Sequence, residues 1–251
     1  MTQVSEAFPY SSFIPSYVNG LQISRTSTTV LSVAPGSILD STGTFQLSLG
    51  VAQAITATNT GLNGLDTGTF AASTVYAVYL VADPVTQQPT GAMISANFTQ
   101  PLLPFGYSAF ALIGYATTDV STHFLPGYWS AGIGCPRLFM YDAPQATAVT
   151  AGAATTYTAV SLETLVPLAA LRPVWIATNF TPNVAGHGLY MQPQEATGDA
   201  ITILGQVATV HMTNNSLLYA NSNSTHMQIN YKVTDAADAV AINVAGYEFF
   251  I

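Results

Sequence analysis

Charge is what this chain lacks most. Only 6% of its 251 residues are charged, against about a quarter in an ordinary soluble domain. The cations are Arg25, Arg137, Arg172 and Lys232, set against twelve carboxylates, for a net charge of -8. Four cations standing far apart cannot neutralise a run of phosphates, so no nucleic-acid partner is expected. A polybasic membrane-surface patch is excluded for the same reason. The single cysteine, Cys135, allows no internal disulfide and no cysteine-rich metal site.

Long apolar runs are missing too. Mean hydropathy is +0.36, yet Thr, Ser, Asn, Gly or Pro cuts every apolar run well short of the roughly 18 residues a spanning helix needs. The opening Met1-Thr2-Gln3-Val4-Ser5-Glu6 has no cationic stretch followed by an apolar one, so neither a secretory leader nor membrane insertion is expected. Helical periodicity is scarce. The best candidate is Leu162 to Leu171, which Pro167 and Pro173 limit to a turn or two.

Strand patterns dominate what is present. Met227, Ile229, Tyr231 and Val233 alternate with Gln228, Asn230 and Lys232, and Val240, Ile242 and Val244 alternate with Ala241, Asn243 and Ala245. With the short polar link Thr234-Asp235-Ala236-Ala237-Asp238 between them, the two segments read as a hairpin with one buried face. Val75 to Val81 is a continuous β-branched and aromatic run, the pattern of a strand covered on both faces. Further strands are expected at Thr28–Val33, Phe45–Leu49, Ala111–Thr117, Thr156–Val160, Val174–Ala177, and Ile201–Met212 with a break at Gly205. Frequent Gly and Pro turns separate them. The expected class is all-β: two β-sandwich, jelly-roll-like or open-barrel domains, 1–133 and 134–251, divided near Gly132-Ile133-Gly134-Cys135-Pro136.

Residues able to do chemistry are thinly spread. His123, His187, His211 and His226 have no second ligand at metal spacing, so no metal site and no cofactor is expected. Gly61-Leu62-Asn63-Gly64-Leu65-Asp66-Thr67-Gly68 is rich in oxygen donors but lacks the alternating acids and closing Glu of a calcium loop, and reads as a turn. The acids Asp40, Asp66, Asp83, Asp119, Asp142, Glu163, Glu195, Asp199, Asp235, Asp238 and Glu248 form no cluster in sequence, and no Gly-x-Ser-x-Gly elbow is present. No catalytic residue is assigned and no enzyme is expected. Acceptor-like triplets at Asn97, Asn179, Asn214 and Asn223 are what chance gives in a chain rich in Asn, Ser and Thr. Tyr17, Tyr107, Tyr115, Tyr128, Trp129 and Trp175 could include a sugar-stacking platform, although aromatics at strand positions usually serve a core or subunit interface.

Several segments taken in order resemble bacteriophage head-decoration, head-fibre or short tail-appendage proteins. They are Tyr17 to Ser24 followed by Thr28 to Gly36, Gly64 to Gly68 leading to Thr74 to Asp83, Pro101 to Tyr107 followed by Ile113 to Asp119, and the closing Gln228 to Tyr231 with Val244 to Tyr247. In similar proteins one or two arginines are expected just before Ile113-Gly114-Tyr115; here Phe110-Ala111-Leu112 stands there, which removes a salt bridge at that point. The resemblance implies a virion location, assembly in the bacterial host cytoplasm, a homotrimer, partners such as the major capsid protein or tail proteins, and no catalytic residues. A capsid decoration or cement role, or a head fibre, fits a chain with few charges to desolvate when its sides are covered. The alternative is a tail-fibre module that recognises a host surface glycan.

Overall fold

The computed structural model describes residues 18–85, 88–129, 137–142, 147–167, 174–194, 196, 198–218, 221–223 and 226–249. In chain order the strands are β1 (Asn19–Gly20), β2 (Ile23–Arg25), β3 (Val30–Val33), β4 (Gly36–Leu39), β5 (Gln46–Leu49), β6 (Gln53–Thr56) and β7 (Val75–Asp83). They continue with β8 (Gln88–Ser95), β9 (Ala109–Thr117), β10 (Gly127–Trp129), β11 (Arg137–Tyr141), β12 (Thr147–Gly152) and β13 (Thr158–Ser161). The last are β14 (Val174–Thr181), β15 (Gly188–Pro193), β16 (Ile201–Leu204), β17 (Met212–Leu218), β18 (Asn221–Asn223), β19 (His226–Val233) and β20 (Ala239–Phe249). The protein is all-β and β-sandwich-like, with no helix among the described residues and no closed barrel.

A nine-stranded sheet runs β17-β14-β20-β11-β10-β2-β3-β6, with β12 also on β20. A five-stranded sheet runs β13-β19-β15-β16 with β18 on β19, and two three-stranded sheets run β1-β4-β5 and β8-β7-β9. The pairings between these strands are antiparallel, as in β7 with β9 and β14 with β17.

The hydrophobic pattern accounts for much of this layout. Every residue of β7 is buried between β8 and β9, as its unbroken apolar run requires. Along β19, Met227, Ile229, Tyr231 and Val233 are buried while Gln228, Asn230 and Lys232 are half-buried, so one face is packed and the other meets solvent. β14 alternates in the same way, with Val174, Ile176 and Phe180 in the core.

Three expectations need correction. The segments 227–233 and 240–244 are strands but not a hairpin: β19 pairs with β13, β15 and β18, and β20 with β11, β12 and β14. The link between them is an arch from one sheet to the other, held by the buried carboxylate of Asp238. Next, the strand expected over 201–212 with a break at Gly205 does break there, but residues 205–211 form no strand, so the second part is absent. Gly205 donates to the His187 carbonyl at 2.8 Å and accepts from the Gly186 amide at 2.7 Å, so the 183–187 loop turns the chain away, and β17 restarts at Met212. Last, no helix forms over the described part of 162–171: residues 162–167 make a single turn in which the Leu162 carbonyl accepts from Leu165 and Val166, and residues 168–171 lie outside the described residues.

The division expected at 132–136 also lies outside the described residues. The strands flanking it, β10 and β11, are hydrogen-bonded neighbours in the nine-stranded sheet. Buried side chains from before and after that point, such as Ile23, Tyr115 and Trp129 with Phe139, Tyr247 and Phe249, form one continuous core.

Candidate functional site

The carboxylates are used to fold the chain's own loops. Asp40 accepts from the amides of Thr44 at 2.7 Å and Phe45 at 2.9 Å and from the Thr42 hydroxyl at 2.7 Å. Burial would raise its pKa, but the bonds from Phe45, Thr42 and Thr44 outweigh burial and hold it below the ordinary value. Asp119 accepts from the amides of Ser121 and His123, and Asp83 from the amide of Val85 and the hydroxyl of Ser108. Asp66, in the Gly61–Gly68 loop, accepts from Thr67 at 2.7 Å and from the Leu102 amide at 2.8 Å. That loop lies along β8, with Asn63 and Asp66 donating to the carbonyls of Ala92 and Ile94. Its oxygen-rich sequence is therefore spent on the turn and on docking.

The strongest of these knots joins two inter-sheet connections. Asp238 accepts from the Asn183 amide at 2.7 Å and the Asp235 amide at 2.9 Å, with Nδ1 of His187 at 2.9 Å. Burial acts to raise the Asp238 pKa, and the Asn183, His187 and Asp235 contacts reverse that and lower it. The remaining histidines stand apart: His123 lies 3.7 Å from Asp119, Nδ1 of His211 is 3.1 Å from the Thr181 hydroxyl, and His226 opens β19. Among the described residues no group of three or more His, Cys, Asp or Glu side chains comes together. Nor, among them, does a hydroxyl nucleophile bond to a histidine that a carboxylate orients. Cys135, Arg172 and Glu195 lie outside the described residues.

The aromatic residues divide between core and surface. Trp129 and Tyr115 are fully buried, the indole N–H donating to the Tyr115 carbonyl at 2.9 Å. Trp129 packs on Phe139 at 4.7 Å between ring centres, Phe139 on Tyr247 at 5.1 Å, and Tyr115 on Phe249 at 5.2 Å. Desolvation raises the pKa of Tyr79, Tyr115, Tyr141 and Tyr247, so these phenols stay neutral in ordinary buffers. Tyr107 and Trp175 are half-buried, Tyr128 is exposed, and Tyr17 lies outside the described residues. The expected platform residues are therefore not gathered on one surface.

Sequence reading missed a different grouping. On the solvent side of the five-stranded sheet, the Lys232 ammonium sits 4.4 Å from the centre of the Tyr157 ring and 4.9 Å from that of Tyr190. Asp199 lies 4.0 Å from it and bonds the Tyr157 hydroxyl. The alternation of β19 and β15 places Lys232 opposite Tyr190, but Tyr157 and Asp199 arrive from loops, for which no local signal exists.

A second grouping centres on Arg137, buried at the start of β11. Its guanidinium donates to the carbonyls of Ile113 at 2.8 Å, Leu21 at 3.2 Å and Gly20, joining the first strands to the second half of the chain. The surface depressions are open. One of about 510 Å³ is lined by Arg25, Thr28, Gly127 and Asp142, and one of about 620 Å³ by Thr67, Phe98 and Leu102.

Compared with known proteins, the chain matches no family model, no curated protein and no solved structure.

Proposed function

We propose that this chain is a non-enzymatic structural protein of a bacteriophage particle, a homotrimeric capsid decoration, cement or head-fibre protein. The observation that carries the reading is the state of its charges. Few exist, and the carboxylates of Asp40, Asp66, Asp83, Asp119 and Asp238 are tied to backbone amides of the chain itself. The surface left over is mainly uncharged polar and small apolar side chains, which cost little to desolvate against other copies or a capsid. Threefold association would multiply a modest contact by avidity. Imaging the intact particle by cryo-electron microscopy with this chain fitted into density tests the proposal. Density at threefold positions of the capsid lattice is expected; absence from the particle would overturn it.

The Tyr157–Lys232–Tyr190 cluster favours a second reading, a tail-fibre module that stacks a host glycan on these half-buried rings. In that case soluble protein blocks infection and Tyr190→Ala abolishes the block. Unchanged infection in the presence of soluble protein removes this reading.

A further inference from the structure

The two ends of the nine-stranded sheet are finished differently. At one end β6 is covered, because the Thr56 amide donates to Asn63 and the 56–65 loop closes over the edge. At the other end β17 is the last strand, and among the described residues no backbone hydrogen bond reaches its far side. It pairs with β14 from Leu218 to Met212 with no register shift. Such an edge is a template for another strand, and monomeric proteins guard it with Lys, Pro or a bulge. β17 carries none of these, and residues 200–218 contain no Asp, Glu, Lys or Arg.

We propose that β17 is a two-fold contact between copies of this chain, formed when Met212–Leu218 pairs antiparallel with the same strand of a second copy about an axis at Asn215. The sequence of the strand is self-complementary in that register. Met212 meets Leu218, Asn214 meets Ser216, Thr213 meets Leu217, and Asn215 meets itself, so the end pair is apolar, the central pairs are polar and no charge is buried. Two chains of net charge -8 repel at long range, and residues 200–218, which carry no Asp, Glu, Lys or Arg, add nothing to that cost where the strands meet. Leu217 on the strand is exposed, and beside its Met212 end, where the 182–187 and 204–209 loops are hydrogen-bonded to each other, Val184, Leu204, Val207 and Val210 are each about half exposed. A two-fold contact closes on itself, so it is additional to threefold association and links one trimer to the next. It rests on the structural reading only in that copies are brought together in a particle.

Sedimentation of the full-length chain carrying Asn215→Lys or Asn215→Asp tests the contact. Residue 215 is exposed, and each variant sets like charges opposite each other across the axis. The wild-type chain is expected to reach at least twice the mass of either variant, with association weakened at least about tenfold in each. An equimolar mixture of the two variants is expected to regain the doubled mass. Equal masses for wild type and variants overturn the contact, and failure of the mixture to recover overturns the register. The mass of a variant alone reads threefold association separately, since a trimer that never doubles sinks this inference and a monomer that doubles sinks only the trimer. If either variant melts below wild type, the pair Thr213→Lys and Leu217→Asp in one chain replaces it. There each lysine meets the other copy's aspartate, and doubling is expected to persist; its loss overturns the contact.

Discussion

At the scale of single residues, stability is concentrated in a few buried polar groups. Asp238 satisfies the amides of Asn183 and Asp235 and holds His187, so it fixes two connections at once. Replacing it with alanine leaves those amides unpaired, and Asp238→Ala is expected to lower stability by about 3 kcal/mol in chemical denaturation. The depressed pKa values of Asp40 and Asp238 set the sign of the acid response. Their contribution is complete above the ordinary value of 3.8 and is lost as pH falls through the lower folded values. Midpoints measured between about pH 5 and pH 2 should therefore fall, and Asp238→Asn should flatten part of that fall. Arg137 is the corresponding cation. Arg137→Met fills similar volume but deprives the Gly20, Leu21 and Ile113 carbonyls of their donor, and a loss of about 3 kcal/mol is expected in the same assay.

At the scale of elements, the strands with the clearest pattern were legible and their partners were not. The unbroken run of β7 and the alternation of β19 give position and facing from side-chain period alone. The supposed hairpin shows where that period stops being informative. A five-residue polar link suits a hairpin and an arch equally, and the choice fell to Asp238, whose bonds reach back to residue 183. Close approach of strands is likewise invisible to pattern. A side chain at Gly246 would meet the Phe139 carbonyl and the Met140 sulfur where β20 crosses β11. Gly246→Ala is expected to destabilise by about 2 kcal/mol, because backbone must move to admit the methyl group. A melting temperature equal to wild type would contradict that.

At the scale of the whole molecule, the nine-stranded sheet joins both halves of the chain. β10 lies between β2 and β11, so Trp129 and Phe139 share one packed layer. Expressed alone, residues 1–133 would expose that layer and lose the Arg137 tie. The fragment is expected to lack the cooperative melt of the intact chain, which should unfold in one transition by calorimetry. A fragment that melts cooperatively by itself would show that the first half carries a sufficient core of its own.

The sequence by itself determined the class of the fold, because apolar period two and abundant turn residues are local properties that leave few alternatives to antiparallel sheet. It also determined that charge chemistry would be sparse, since four cations and twelve acids are a matter of counting. Only the tertiary structure decided which strands are neighbours, which aromatics are core and which acids fold which loops. Those outcomes depend on contacts between residues far apart in the chain, such as Asn183 with Asp238 and Gly20 with Arg137. No window of sequence contains both partners of such a bond, so no local period can announce it.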